Sequence, residues 1–230
     1  MRVFYQPNFE TSCTLDEQES KHCTKVLRLT KGDQVQVVDG QGNWFDCTIA
    51  TPSPKKCELH ILSKKVLESP PHYIHIAVAP TKDIGRIEWF VEKAVEIGIQ
   101  EISFFTSQHS ERKVVKLERI RKVAVSAMKQ SLKAHLPILN ELQSFKSLLQ
   151  NNQTGIRLIA NQVAGATYLQ NCAKADSYFV CIGPEGDFSE QEISLAQEAG
   201  FTPISLGNAR LRTETAALTS CIELNLLNRL

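Results

Sequence analysis

Long apolar runs are missing from this chain. None approaches the roughly 18 residues a spanning helix needs, and the start lacks the charged-then-apolar pattern of a secretory signal, so neither a membrane segment nor export is expected. Paired cysteines are missing too. The seven cysteines, at 13, 23, 47, 57, 172, 181 and 221, form no C-x-x-C, and an odd, scattered set reads as buried small hydrophobes in a reducing cytoplasm, not as disulfides or zinc ligands. No G-x-x-x-x-G-K-[ST] and no G-x-G-x-x-G occurs, which argues against a triphosphate loop and a dinucleotide fold. Internal repeats and low-complexity tracts are absent as well.

Net charge is small, +1 over 230 residues, but it is unevenly spread. Residues 112–133 carry eight Lys/Arg against one acid, Glu118, whereas residues 134–230 carry six basic against nine acidic. A charge run is commonly just a solvated face. Here the excess of one sign exceeds what solubility needs and favours an RNA ligand held locally.

Residues 1–69 read as a small β-rich module. Arg2–Tyr5 is a short strand, and Thr14 with Glu17 three residues on predicts a capped helix through about Leu27, with Val26 and Leu27 in the core. Strand-like runs follow at 34–38, 44–50 and 57–63, the first two joined by the hairpin signal Asp39-Gly40-Gln41-Gly42-Asn43. Several strands and one helix suggest a small barrel. Residues 64–71, ending in Pro70-Pro71, read as a linker.

Beyond it strands and helices alternate, as in a mainly parallel sheet covered on both faces. Strands are expected at 72–79, 101–106, 156–160, 178–182 and 203–206, with helices at 84–97 (closed by Gly98), 113–132, 190–199 and 215–227. Ser189 and Glu192 form a capping box. The last helix is apolar enough for either a dimer face or a core.

Two loops in the final fifty residues stand out. Ile182-Gly183-Pro184-Glu185-Gly186-Asp187-Phe188-Ser189 and Leu206-Gly207-Asn208-Ala209-Arg210-Leu211-Arg212-Thr213-Glu214-Thr215-Ala216 each follow a strand and precede a helix. A glycine at the C-terminal end of a strand lets backbone approach a ligand, and open α/β sheets bind ligands at that edge. One such loop is an ordinary turn; two in tandem point to a site.

These loops resemble the signature of the RsmE-type ribosomal RNA methyltransferases, in the SPOUT superfamily of S-adenosylmethionine enzymes, and the resemblance runs the length of the chain. It implies a trefoil-knotted α/β methyltransferase domain with a mainly parallel sheet over 72–230, preceded by a PUA-like RNA-binding β-barrel over 1–69. It also implies a homodimer, S-adenosyl-L-methionine as cofactor without a metal, and methylation of N3 of one uridine in 16S small-subunit rRNA. The alternatives are another RNA position, such as a ribose 2′-hydroxyl, or an rRNA-binding relative without catalysis.

On this reading Asn161, Ile182, Gly183, Glu185, Gly186, Leu206, Gly207, Leu211 and Thr215 form the cofactor pocket. Arg212 and Glu214 are the catalytic candidates: Arg212 for charge on a uracil oxygen, Glu214 as base, as a group orienting Arg212, or simply as a first-turn acid. Arg2, Lys25, Arg28, Arg112, Lys113, Lys133 and Arg210 are the RNA-binding candidates. Several positions depart from the family pattern. Lys129 replaces a usual Glu, Lys133 a usual Arg, His109 the Arg of an Arg-Ser pair and Asp187 a glycine, and Arg210 is displaced by one position with Ala209 in its place. A lysine at 133 cannot make a bidentate fork, so a clamp there is looser.

Overall fold

The computed structural model describes residues 2–150, 154–161 and 166–229. The chain divides into two compact units, Met1–Ser69 with Val125–Leu136, and Pro70–Ala124 with Pro137–Leu230.

In the first unit, β1 (Val3–Tyr5) is followed by two short helices, α1 (Phe9–Ser12) and α2 (Glu17–Lys21), and then by β2 (Gln34–Val38), β3 (Asn43–Thr51) and β4 (Glu58–Val66). The four strands form one sheet in the order β1-β2-β3-β4, with only β1 and β2 parallel, and register shifts bend β3 against β4. Its inner face buries Phe4, Phe9, Val35, Val37, Phe45, Cys47 and Ile49 around Cys23 and Cys57, whose Sγ atoms are 4.0 Å apart. Gly40 and Gly42 take φ of 80° and 101° in the expected hairpin, where Asp39 accepts from the amides of Gln41 and Asn43.

Three local expectations are corrected by the fold. The N-cap of α2 is Asp16, which accepts from Glu19 N at 2.8 Å; Thr14 instead bridges to Glu58. The helix does not run on as α to Leu27, because residues His22–Val26 form a π-turn closed by Leu27 N to His22 O. That wider turn leaves Val26 66% exposed while Leu27 packs on the core. Finally, β4 continues to Val66, so Lys64–Val66 of the expected linker are strand.

In the second unit, β5 (Tyr73–Val78), α3 (Ile84–Ile97), β6 (Glu101–Thr106), α4 (Leu117–Gln130), β7 (Ile138–Ser144) and α5 (Phe145–Gln150) run in sequence. β8 (Ile156–Ala160), β9 (Thr167–Tyr168), β10 (Ser177–Ile182), α6 (Glu190–Glu198), β11 (Thr202–Ser205) and α7 (Thr213–Arg229) complete it. The seven-stranded sheet is ordered β7-β6-β5-β10-β8-β11-β9, and every pairing in it is parallel. Its central strands are therefore buried on both faces: Ile74, Ile76, Ala77 and Val78 of β5 and all of Tyr178–Ile182 are inaccessible.

One face packs Phe105, Phe145, Phe179, Phe188 and Phe201 under α5 and α6. On α3, Ile87, Phe90, Val91 and Ala94 are buried, and α3 packs against α7. α4 starts at Leu117, so Arg112, Lys113 and Lys116 precede the basic helix; its end and the segment to Leu136 group with the first unit, where Ala134 O and Leu136 N bond to Gly42 and Gly40. Among the described residues no helix is long and apolar enough to cross a membrane.

Candidate active site

The sheet's order reverses at β5 and β10, which are hydrogen-bonded neighbours with crossovers leading away on opposite sides. Open parallel sheets bind ligands at such a point, beyond the strands' carboxyl ends. There the loops after β8, β10 and β11 enclose a cleft of about 600 Å³.

Thr213, the first residue of α7, closes the loop after β11 onto the loop after β10: its buried hydroxyl donates to Gly183 O at 3.1 Å. Asn161 N in turn donates to Ile204 O, tying the β8 loop to β11. The β10 loop is a turn closed by Asp187 N to Pro184 O. Asp187 sits at φ 61°, in the left-handed region that favours glycine, and its carboxylate accepts from Phe188 N at 2.7 Å. Phe188 reaches back under Gly183 and into the aromatic cluster with Phe105 and Phe145. The capping box expected at Ser189 and Glu192 is formed in full.

Loops after β5 and β6 brace this turn. His109 Nδ1 donates to Asp187 O at 3.0 Å, since a carbonyl can only accept, and its Cβ lies so close to Gly186 that a side chain there would clash at 2.9 Å. Gln108 N donates to Glu192, and Lys82 N to Glu185. The guanidinium of Arg112 donates to Thr81 O at 2.9 Å and to Lys82 O, so this RNA-binding candidate is engaged with the loop after β5.

Of the expected cofactor residues, Asn161, Ile182, Gly183, Glu185, Gly186, Leu206 and Leu211 line the cleft, while Gly207 and Thr215 do not. Arg210 and Arg212 line it and are exposed. Glu214 does not: it is buried behind the cleft, and its ionic partner is Arg86 of α3, with Nε to Oε1 at 3.8 Å. Among the lining residues that sequence reasoning did not assign are Arg86, from outside the two loops, and Thr213, from within the second. The rule that ligands meet the carboxyl edge of a parallel sheet applies to the loop after β5 too and could have pointed to Arg86.

The remaining RNA candidates lie on the surface of their own units. In the first, Arg2 is 3.6 Å from Asp33, Lys25 is exposed on the π-turn, Arg28 is exposed at φ 54°, and Lys133 is half-buried. Lys129 is 2.5 Å from Glu19. In the second unit Arg119 pairs with Glu88, while Lys113, Lys116, Arg121 and Lys122 are exposed.

Comparison with known proteins agrees with this architecture. Residues 68–225 match the RNA methyltransferase domain and residues 15–62 the RNA methyltransferase PUA domain. Ribosomal RNA small subunit methyltransferase E of Aquifex aeolicus is 27% identical over 95% of this chain and 96% of its own length. The crystal structure of a probable rRNA-methyltransferase from Porphyromonas gingivalis superposes with a TM-score of 0.93 at 40% identity, covering 100% of this chain and 99% of that one. That of ribosomal RNA small subunit methyltransferase E from Neisseria gonorrhoeae, bound to S-adenosyl methionine, gives 0.88 at 26% identity over 99% and 98%. This chain therefore belongs to the RNA methyltransferase family of ribosomal RNA small subunit methyltransferase E.

Proposed function

We propose that this protein transfers a methyl group from S-adenosylmethionine to N3 of a uridine in 16S rRNA of the small ribosomal subunit, giving 3-methyluridine. The observation that carries the reading is the Thr213–Gly183 hydrogen bond, which joins the two signature loops around one cleft. Its volume falls in the range of small-molecule sites. The lining suits the donor: glycine backbone at 183 and 186 for close approach to adenine and ribose, Ile182, Ile204, Leu206 and Leu211 for apolar walls, and the carboxylates of Glu185 and Asp187 for an ammonium group.

The cofactor supplies an electrophilic methyl on a sulfonium. The chain's task is to hold that methyl in line with the attacking atom and to stabilise the charge that develops. Gly207 sits at φ 112° and shapes the loop from outside the lining, as Thr215 does from α7. Uridine N3 is protonated at neutral pH; its proton passes to solvent at the open side of the cleft, and the anion left on its removal spreads over O2 and O4. Arg212, exposed in the cleft, is the donor for one of those oxygens. N3 lies on the Watson–Crick edge, so the base enters unpaired. Lys113, Lys116, Arg121 and Lys122 of the unit that carries the cleft hold the surrounding phosphates, and Arg2, Lys25 and Arg28 are separate RNA contacts of the first unit.

The knot, a homodimer and a cytoplasmic location belong to the same proposal. The return of the chain after β11 to Gly183 supports the first. Exposed Trp89, Ile222 and Leu226 on the packed helices α3 and α7 support the second. The test is primer extension and mass spectrometry of 16S rRNA from a strain lacking the gene, with calorimetry of the purified protein and S-adenosylmethionine. One 3-methyluridine should vanish and the cofactor should bind; an unchanged rRNA refutes the reading.

A further inference from the structure

We propose that Arg86 is a second catalytic guanidinium of this cleft, binding an anionic oxygen of the donor or of the target base, and that Glu214 is the residue that positions it. The assignment rests on the methyltransferase reading and gives two side chains roles that the loop signature alone does not.

Arg86 is the third residue of α3, whose start at the sheet's carboxyl edge is fixed by Asp83: the Asp83 carboxylate accepts from Gly85 N at 2.9 Å. From there it lines the cleft together with Arg210 and Arg212, with 36% of its side chain exposed. Its guanidinium donates no hydrogen bond to the described residues. The one ionic contact, Nε to Glu214 Oε1 at 3.8 Å, is too long for a hydrogen bond and acts through charge. Both terminal nitrogens therefore remain donors in a planar fork that matches a carboxylate or an imide oxygen.

Glu214 is the complementary half. It is buried, and its Oε2 has no hydrogen-bond partner among the described residues. A buried charge is tolerated when an opposite charge faces it, and here that charge is Arg86. A general base must come within hydrogen-bond reach of the proton it removes. Glu214 is not in the cleft wall; Thr213, its neighbour in the chain, is, and Thr213 is locked to Gly183. The carboxylate thus acts through Arg86, its ionic partner, and not on the substrate.

The test uses the full-length protein with S-adenosylmethionine and small-subunit rRNA, comparing Arg86→Met, Arg86→Lys, Glu214→Gln and the double variant Arg86→Met/Glu214→Gln. Melting curves establish folding, and Arg86→Lys, which keeps a cation facing Glu214, serves if Arg86→Met does not fold. Arg86→Met is expected to weaken cofactor binding at least tenfold if the oxygen is the donor's carboxylate. If the oxygen is on the base, it leaves binding within twofold and lowers kcat at least a hundredfold. Arg86→Lys moves the same parameter less. Glu214→Gln shifts that parameter too, keeps the shape of the pH profile of kcat, and adds nothing to Arg86→Met. Cofactor binding and kcat both within twofold in Arg86→Met would overturn the assignment. So would a Glu214→Gln that loses the acid limb of the profile or multiplies the Arg86→Met defect. Wild-type protein that bound no S-adenosylmethionine would remove the underlying reading instead, and the assignment with it.

Discussion

Replacing Thr213 by valine removes one hydrogen bond and almost no volume, at the point where the two signature loops meet. The hydroxyl is buried and donates to Gly183 O at 3.1 Å. With valine in place, that carbonyl loses its side-chain donor, and a buried acceptor left unsatisfied costs about 1–3 kcal/mol. If the loss falls on the closed form of the cleft, cofactor affinity drops by about 5- to 150-fold. If it falls on the fold as a whole, the melting temperature drops by about 2–4 °C for each kcal/mol in a chain of this size. Calorimetry with S-adenosylmethionine and thermal melts on Thr213→Val, with Thr213→Ser as the control that keeps the donor, separate the two. Valine and serine variants that bind alike and melt within a degree of wild type would refute the claim that this bond holds the cleft together.

Three other changes address the same cleft and the surface around it. Gly186→Ala places a Cβ 2.9 Å from that of His109 and should break the His109–Asp187 hydrogen bond, weakening cofactor binding in calorimetry while far-UV circular dichroism stays native. Phe188→Ala empties the space against Phe105 and Phe145 beneath Gly183 and should cost about 3–5 kcal/mol in denaturant titration. Arg121→Ala with Lys122→Ala should leave cofactor affinity unchanged and weaken rRNA binding, the slope of log affinity against log salt falling by about 0.7–0.9 for each phosphate no longer neutralised.

The cleanest parts of the fold were legible because local pattern and tertiary demand agree. α3 and the strands at 101–106 and 156–160 have the bounds their periodicity predicts, and the Ser189 capping box is complete. β7 is not legible in this way. Its Ile138-Leu139-Asn140-Glu141-Leu142-Gln143 has one β-branched residue, and it is a strand through pairing with β6 at the sheet's edge, not through propensity. Two overlapping capping patterns, Thr14 with Glu17 and Asp16 with Glu19, compete at α2, and the backbone bridge of Thr14 to Glu58 decides for Asp16. Val26 faces solvent and not the core because a π-turn rotates the following side chains off the α-helical stripe.

The same division runs through the candidate site. Which loops line the cleft was legible in the chain, since glycine and proline at the end of apolar runs constrain backbone within a few residues of themselves. The local excess of positive charge over residues 112–133 likewise pointed to RNA. What no local pattern holds is which distant groups face one another: Glu214 with Arg86 and not Arg212, Arg112 on the carbonyls of 81 and 82, His109 behind Gly186. Those pairings follow from the order in which parallel strands lie side by side. That order is set by burying two faces of a sheet at once, and only the folded chain expresses it.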